Sequence, residues 1–477
     1  MNRERTHRAM QFAGRAFAFA AGIFATSCLS LSPAFAQAQK PAPPAPPPIP
    51  LAAPPAAAKP GPPLKLTLAD ALARAQKYSP QFQMAVTAAK LARENQVQAS
   101  ALMKPDVSYL MQYLNTQGND ISPVGRFVTN DGVHVYRAWG VVRQAMPGGF
   151  FIDAGPREAG YLRALADAQQ QIALRGLAVA VTQDYYALVA AQRNVAAAGQ
   201  ALRSAQRFLA ISQALEKGGE VAHTDVIRFQ LQESQSERAL EDARLAVSTA
   251  QSNLAVLLFP AFDENFQVVD DLATPPAPPA FAQAEARAQS RNPALASALA
   301  AYHAASVNVS IAKSAFFPSL AIDFDYGIEA NALALHSVNL TRPGVRQPNL
   351  GYFATYSLNL PIWDWGFRRS QLHQAEDARA LERVNLSYAQ RGVVAQLYSF
   401  YNQTVTAWNE MGSLRREVTL ADRNLQLVTM QYQAGETAVL QVLDAENSWV
   451  LARDAYTAGA AQYRNALAQL ETITGSF

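Results

Sequence analysis

The segment PSLAIDFDYGI, Pro318–Ile328, alternates between two kinds of side chain at every step after the proline. Leucine, isoleucine, phenylalanine and tyrosine take one set of positions, and serine, alanine, aspartate and glycine take the other. Because successive side chains of a strand point to opposite faces, this period predicts a strand with one apolar and one polar face. Such a strand suits a soluble hairpin that covers a core, or a membrane-spanning barrel that is apolar outside and polar inside.

Three other segments follow the same two-residue period. They are Val107–Leu114, Val133–Met146 and Tyr352–Ile362. The last alternates as regularly as the first strand, and we place the loop between them at Glu329–Leu350. The second is less regular, because Arg137 and Arg143 share a face with valine and tryptophan residues. The chain therefore offers about four strands of roughly ten residues, the length of a barrel strand.

The strands belong to a unit that occurs twice. Four landmarks recur in one order and at nearly constant spacing, as the pairs Pro80 and Pro293, Pro105 and Pro318, Pro147 and Pro361, and Gly219 and Gly435. This recurrence predicts an internal duplication. We place structural repeat 1 at residues 65–270 and structural repeat 2 at 271–477, each in the order helix, strand, strand, helical hairpin. The proline-rich Asp271–Ala280 is the joint between them.

Each repeat also contains a long helical pattern. No proline occurs from Arg157 to Phe259, and this stretch is rich in good helix formers. A seam of three- and four-residue steps runs through Leu174, Leu177, Val181, Asp184, Leu188, Ala191, Val195, Ala198, Leu202, Ala205 and Leu209. It recurs in repeat 2 from Gln390 to Leu425, then Val428 and Tyr432, which predicts coiled-coil packing of long helices. Gly219 and Gly435 are the predicted points at which each helix ends and the chain turns back.

The chain begins with features of an exported protein. A basic start, an apolar run and the Ala34-x-Ala36 sequence predict a signal peptide at residues 1–36. The only cysteine, Cys28, allows the alternative that this residue is lipidated rather than removed. Residues 37–64 are rich in proline and alanine and predict an extended linker.

Composition excludes several classes of protein. The formal net charge of +3 is carried by the first 36 residues, so the remainder balances and shows no basic patch for nucleic acid. There is no phosphate-binding glycine loop, nucleophile elbow or histidine spacing for a metal. We therefore predict that the protein is not an enzyme and has no cofactor and no metal site.

A membrane span, if there is one, must be a closed barrel. No run of 18 uninterrupted apolar residues follows the signal peptide. Open sheet edges are not tolerated in hydrocarbon, and four strands cannot enclose a lumen. Three chains give twelve strands, within the range of outer-membrane barrels, so the strand number predicts a homotrimer.

The duplication, the signal peptide, the paired strands and long helices of each half, and the segment AGETAVLQVLDAENSW resemble the TolC-type outer-membrane efflux and secretion channels (outer membrane factors). The resemblance covers about Leu66 to Gly475. It implies a mixed membrane fold, in which a homotrimeric twelve-stranded transmembrane β-barrel continues as a long α-helical coiled-coil barrel in the periplasm. It also implies an exit duct in the outer membrane of a Gram-negative bacterium.

By the same resemblance, the duct belongs to a tripartite efflux or type I secretion system. It is embedded in outer-membrane lipid and passively conducts substrates delivered by an inner-membrane transporter through a periplasmic adaptor, or membrane fusion, protein. The alternative is a soluble periplasmic coiled-coil scaffold or adaptor, whose strands form a small domain. The regular alternation of the strands favours the duct, as do the aromatic residues near the strand ends.

The resemblance also implies site residues near the hairpin turns. Asp444 matches an acidic ring at the constricted pore entrance, and Gln441 stands where the family has a second carboxylate. Tyr432 matches a tyrosine that ties the closed entrance together, and Thr224 and Asp225 match entrance positions in repeat 1. The hairpin tips, which contact the adaptor in the family, contain Gly219, Gly435, Glu436 and Thr437.

Each of these residues also has a structural interpretation. Gly219 and Gly435 are needed to end the helices of any helical hairpin. Tyr432 is also the last seam residue, and Thr224 and Asp225 lie in a sequence typical of a helix N-cap. A carboxylate interacts favourably with the helix dipole in the first helical turn, but Asp444 lies beyond that turn. Asp444 is therefore the residue least readily explained by structure alone.

Overall fold

The computed structural model describes residues 63–115, 134–146, 148, 153–260, 265–330, 333–338 and 344–475. The predicted signal peptide, Cys28 and nearly all of the linker lie outside the described residues. The two loops predicted between the strands are described only in part.

The described chain runs through the same order of elements twice. The first passage comprises β1 (Leu64–Leu66), α1 (Leu68–Tyr78), α2 (Pro80–Ala101), β2 (Asp106–Asn115), β3 (His134–Met146), α3 (Ala154–Gly218), α4 (His223–Leu258) and β4 (Phe266–Val268). The second comprises α5 (Phe281–Arg291), α6 (Pro293–Ser314), β5 (Ser319–Ala330), β6 (His336–Val338), β7 (Arg346–Pro348), β8 (Leu350–Asn359), α7 (Phe367–Gln433) and α8 (Val439–Thr474). In both passages, two short helices and two long strands precede a pair of long helices.

Two helical hairpins dominate the fold. Helix α3 has 65 residues and α7 has 67 residues, so each extends for about 100 Å at 1.5 Å per residue. Helix α4 packs along α3, α8 packs along α7, and α3 and α8 join the two hairpins. Much of the predicted seam is buried, including Val181, Leu188 and Ala205. Near the turn the seam passes through Phe208 rather than the predicted Leu209, because Phe208 is the residue that faces the second hairpin.

The four long strands form one antiparallel sheet in the order β2-β3-β5-β8. The strands occur where alternation predicts them, with two corrections at their ends. The last strand stops at Asn359 instead of Ile362, because Pro361 has no N–H for a ladder. The predicted loop Glu329–Leu350 is also too long, since β5 continues to Ala330 and the small hairpin β6–β7 lies within the loop.

The two faces of this sheet are inverted relative to a soluble sheet. The apolar face is exposed, with Tyr109 at 69%, Tyr352 at 75% and Leu358 at 70% exposure. The other face is the more enclosed one and buries Val141 and Asp325. A soluble sheet covers its apolar face, whereas a barrel strand turns it towards lipid.

The enclosed face also explains why Val133–Met146 alternates poorly. Arg137 lies opposite Glu329 in the register of β3 and β5, and its Nη2 is 2.8 Å from the Glu329 carboxylate. Arg143 lies opposite Asp323, with its Nε 2.9 Å from that carboxylate. Each arginine is thus matched by an acid on the neighbouring strand, a cross-strand pairing that one strand read alone does not reveal.

Gly327 is required where β3 and β5 cross closely. It lies opposite Trp139, and a Cβ at residue 327 would be 2.7 Å from the Trp139 Cα and 2.8 Å from its Cδ1. We expect Gly327→Ala to lower the stability of the sheet by about 1–3 kcal/mol, the usual cost of overpacking. The measurement is the thermal midpoint of the β-sheet circular-dichroism signal in detergent.

Gly351 provides the matched control for this substitution. It lies opposite Gly327 on β8, but a Cβ there would meet no atom within 4 Å. Gly351→Ala is expected to leave the midpoint nearly unchanged. Equal midpoints for the two variants would show that the close approach at Gly327 does not limit stability.

A belt of contacts holds the start of repeat 1, the joint between the repeats and the long helices together. Strands β1 and β4 pair in parallel, and the Tyr185 hydroxyl of α3 donates to the Val269 carbonyl at 2.7 Å. On the joint, Asp270 binds Arg193 of α3 at 2.6 Å, and Asp271 accepts from Arg464 of α8 at 3.0 Å. Burial raises the pKa of Tyr185 to about 12, consistent with its enclosed position.

One described stretch, Phe281–Ser314, is long enough to cross a membrane and contains an 18-residue window that is apolar enough to do so. It comprises α5 and α6, which are separated at Asn292. Helix α6 packs against both α3 and α7. We therefore assign this alanine-rich stretch to the helical bundle.

Candidate functional site

The two hairpin turns have the same backbone structure. Gly219 and Gly435 have φ angles of 77° and 73°, in the left-handed region that favours glycine. After each glycine the next residue returns a hydrogen bond to the helix: the Glu220 N–H to the Leu215 carbonyl and the Glu436 N–H to the Gln431 carbonyl, both at 2.9 Å. These are Schellman-type helix ends. The prediction that the long helices end at these glycines is confirmed.

An aromatic cluster joins the two hairpins just above their turns. It consists of Phe208 of α3, Phe229 of α4 and Tyr432 of α7. The Phe208 and Phe229 rings are stacked with centroids 5.7 Å apart, and the Tyr432 ring meets Phe229 edge-on at 5.9 Å. Val439 and Val442 of α8 complete the cluster, so all four long helices contribute to it. The tips of the two hairpins therefore pack as one unit.

The structure places Tyr432 in the seam, as its structural interpretation predicts. Its side chain is buried, and its hydroxyl makes no hydrogen bond of ordinary geometry to any described residue. Burial raises the pKa of Tyr432, the nearby Ser212 hydroxyl lowers it, and the charge of Asp225 raises it. The charge of Asp225 thus acts on Tyr432, whereas the role of Tyr432 in tying the entrance together stays a prediction.

Thr224 and Asp225 are in the first turn of α4 but do not cap it. The N-cap residue is Ala222, which has no side chain to accept a hydrogen bond, so the predicted N-cap role is wrong. The Asp225 carboxylate lies 3.7 Å from Arg228, one turn along the helix. Thr224 is exposed. Asp225 instead interacts favourably with the helix dipole, because it lies in the first turn of α4.

Asp444 and Gln441 lie on one exposed face of α8. Their neighbours Val442 and Ala445 are buried against the bundle, which explains how an aspartate fits between apolar residues. Among the described residues, none forms an ion pair with Asp444. Gln441 is hydrogen-bonded to the hydroxyl of Thr437, at the start of the same turn. The exposed Glu436 and the half-buried Thr437 complete the second tip.

The sequence did not reveal two features of this region. Phe208 and Phe229 were missed because they lie on two different helices, and no spacing along the chain connects them. Glu446 was missed as well, although it follows Val439 and Val442 at helical spacing and is therefore on the buried face of α8. The described part of the chain contains no group of three or more His, Cys, Asp or Glu placed to hold a metal ion.

Residues 286–476 match the family model described as "Outer membrane efflux protein". Over these residues the chain is similar to the outer membrane efflux proteins. The match covers most of repeat 2, which contains α7, α8 and the tip at Gly435. Among similar proteins, the chain is 26% identical over 277 residues to the outer membrane efflux protein BepC of Brucella suis, covering 57% of each chain. It is 27% identical over 344 residues to the protein CyaE of Bordetella pertussis, covering 68% of each.

Solved outer membrane channels share the fold. The Campylobacter jejuni channel CmeC superposes with a TM-score of 0.73 at 16% identity, covering 86% of this chain and 85% of that one. The Vibrio cholerae outer membrane protein VceC superposes with a TM-score of 0.71 at 17% identity, covering 86% and 96%. The chain thus has the fold of the outer membrane factor channels, although its sequence match spans little more than half the length of BepC.

Proposed function

We propose that three copies of this chain form the exit duct of a tripartite efflux or type I secretion system in the outer membrane. The duct passively conducts substrates that an inner-membrane pump delivers through a periplasmic adaptor. The match of residues 286–476 to the outer membrane efflux protein model supports this proposal, and so does the fold shared with outer membrane channels. The observation that carries it is the sheet, whose apolar face is exposed at Tyr109, Tyr352 and Leu358, whereas the opposite face is enclosed at Val141 and Asp325.

The sheet explains why three copies are required. Among the described strands, β2 and β8 are the edges of the sheet, and each has ten residues. In hydrocarbon, each backbone N–H or C=O group without a hydrogen bond costs several kcal/mol. The two edge strands must therefore pair with strands of other chains. If β8 of one protomer pairs with β2 of the next, three sheets close a twelve-stranded barrel, which is an outer-membrane size.

The hairpin tips form the proposed periplasmic entrance. In this proposal Asp444 faces the axis, and three carboxylates form one acidic ring. The three copies of Gln441 form a second ring beside the Asp444 ring, and this second ring is uncharged. The tips at Gly219, Gly435, Glu436 and Thr437 are the proposed contacts of the adaptor, because they project beyond the aromatic cluster and are mostly exposed.

The first test is the stoichiometry of the detergent-extracted protein. We expect a single species with three times the mass of the protomer by light scattering, because four strands cannot close a barrel. The same preparation should form conducting pores in a planar bilayer. A monodisperse monomer or dimer would rule out the proposed architecture.

Cell fractionation distinguishes the soluble scaffold, the remaining candidate. A scaffold would be released with the periplasmic extract, whereas the duct requires detergent. The exposed apolar face of the sheet favours the duct, because in a soluble protein this large apolar surface would be in contact with water.

A further inference from the structure

The seam between α8 and α3 contains a buried acid. Glu446 follows Val439 and Val442 on the buried face of α8 and precedes Trp449 on that face. Its side chain is 1% exposed, and neither carboxylate oxygen makes a hydrogen bond of ordinary geometry to a described residue. Native interiors rarely leave such a group without partners, so its presence calls for an explanation in function.

The surroundings of Glu446 favour its neutral form. Burial raises the pKa of the carboxyl to about 7, and the nearby Ser204 hydroxyl of α3 offsets part of this shift. Helix α3 also buries the small residues Ala201 and Ala205 on the turn that contains Ser204. A neutral carboxylic acid is tolerated in this seam, whereas a carboxylate would be a buried charge without a counter-ion.

The charged side chains on the adjoining turns do not neutralise this acid. They are Arg203 and Arg207 of α3, Asp422 and Arg423 of α7, and Asp444 and Arg453 of α8. The Arg453 Nη1 donates a hydrogen bond to the Gln200 Oε1 at 2.9 Å, and the Arg453 Cζ lies 4.9 Å from the centroid of the Trp449 ring. Asp422 accepts from Gln426. Only burial and Ser204 shift the pKa of Glu446, so none of these charges compensates its ionisation.

We propose that Glu446 is a proton-sensitive positioning residue of the entrance, and that its ionisation loosens α8 from α3 and favours the open state. This inference rests on the proposed function, because it assumes that the hairpin tips control the pore. Glu446 does not line the pore in this view. It acts through the packing of α8, the helix that presents Asp444 and Gln441.

The direction of the pH effect follows from proton linkage. The packed seam holds the proton of Glu446 up to about pH 7, whereas a solvated glutamate loses it near 4.5. The stabilisation of the packed seam by protonated Glu446 is therefore complete below pH 4.5. It is lost progressively between pH 4.5 and about 7. Each pH unit in that window shifts the equilibrium of each protomer towards the open state by up to about tenfold.

The test is the conductance of the purified trimer in planar bilayers from pH 4 to 8.5. For the unmodified protein we expect conductance to rise with pH across this window. In Glu446→Gln, which keeps the shape of the neutral acid, conductance should stay at its low-pH value. Glu417→Gln, at an exposed acid of α7 outside the proposed entrance, is the matched control and should retain the rise.

A second variant keeps the inference testable if Glu446→Gln fails to assemble. Ser204→Ala removes the hydroxyl that lowers the pKa of the packed carboxyl, so the rise in conductance should begin at the same pH, continue to higher pH and become larger. The same rise in Glu446→Gln as in the unmodified protein would overturn the inference, as would a conductance independent of pH in the unmodified protein. A trimer that never conducts at any pH would instead refute the proposed function.

Discussion

Asp444→Arg is expected to change the entrance from cation-selective to anion-selective. In the proposed trimer, three carboxylates meet around the axis in a narrow and partly dehydrated ring. A charge a few ångströms from a permeating ion contributes on the order of 1 kcal/mol even when it is partly screened. Reversal of three charges should therefore shift the permeability ratio of K⁺ to Cl⁻ by more than about tenfold. The measurement is the reversal potential across a planar bilayer with a KCl gradient.

A graded series provides the controls for this prediction. Asp444→Asn removes the ring's charge and should give an intermediate ratio. Gln441→Asp adds a second carboxylate on the same face of α8 and should increase cation selectivity. Folding should survive in all three variants, because both side chains are exposed and make no core contact. Unchanged selectivity in both Asp444 variants, with trimers intact, would place Asp444 on an outer face.

Phe229→Ala is expected to separate the two hairpin tips. Phe229 is fully buried and touches both other rings of the aromatic cluster. Loss of a buried phenylalanine side chain usually costs about 3–5 kcal/mol. The loss is local, so hydrogen exchange of backbone amides near Tyr432 and Val442 should accelerate by more than about a hundredfold. Conductance should also rise, because the closed tips lose their common core.

Two variants on the same helix test whether this effect is specific. Phe229→Leu restores most of the volume and should recover most of the protection. Ile227→Ala removes a half-exposed side chain next to the cluster and should have little effect. Equal exchange rates at both tips in Phe229→Ala and the unmodified protein would show that the cluster does not hold the hairpins together.

Much of the fold was predictable because its signals are local and repeated. Strict alternation located β5 and β8, the absence of proline located α3 and α4, and the two glycines located both turns. The inversion of the sheet was not predictable from one strand, since an exposed and a buried apolar face give the same period. It became evident only when the four strands were assembled with their register.

The candidate site was predictable only in part, because its residues are brought together across helices. The exposed face of Asp444 and Gln441 follows from helical spacing within α8. The cluster of Phe208, Phe229 and Tyr432 joins three helices, and no spacing along the chain connects them. Helical spacing places Glu446 on the same face as Val439 and Val442, but the absence of hydrogen-bond partners for its carboxylate is not visible in sequence.

The belt at Tyr185 has a mechanical consequence for the entrance. Helix α3 continues without a break from Tyr185 to its end at Gly218, which is a stiff arm of about 50 Å at 1.5 Å per residue. With the belt as fulcrum, a tilt of about 10° would carry the far end of that arm through about 9 Å. In the proposed duct, force applied at the tip would therefore work with high leverage, and small rearrangements at the belt would become large displacements of the tip.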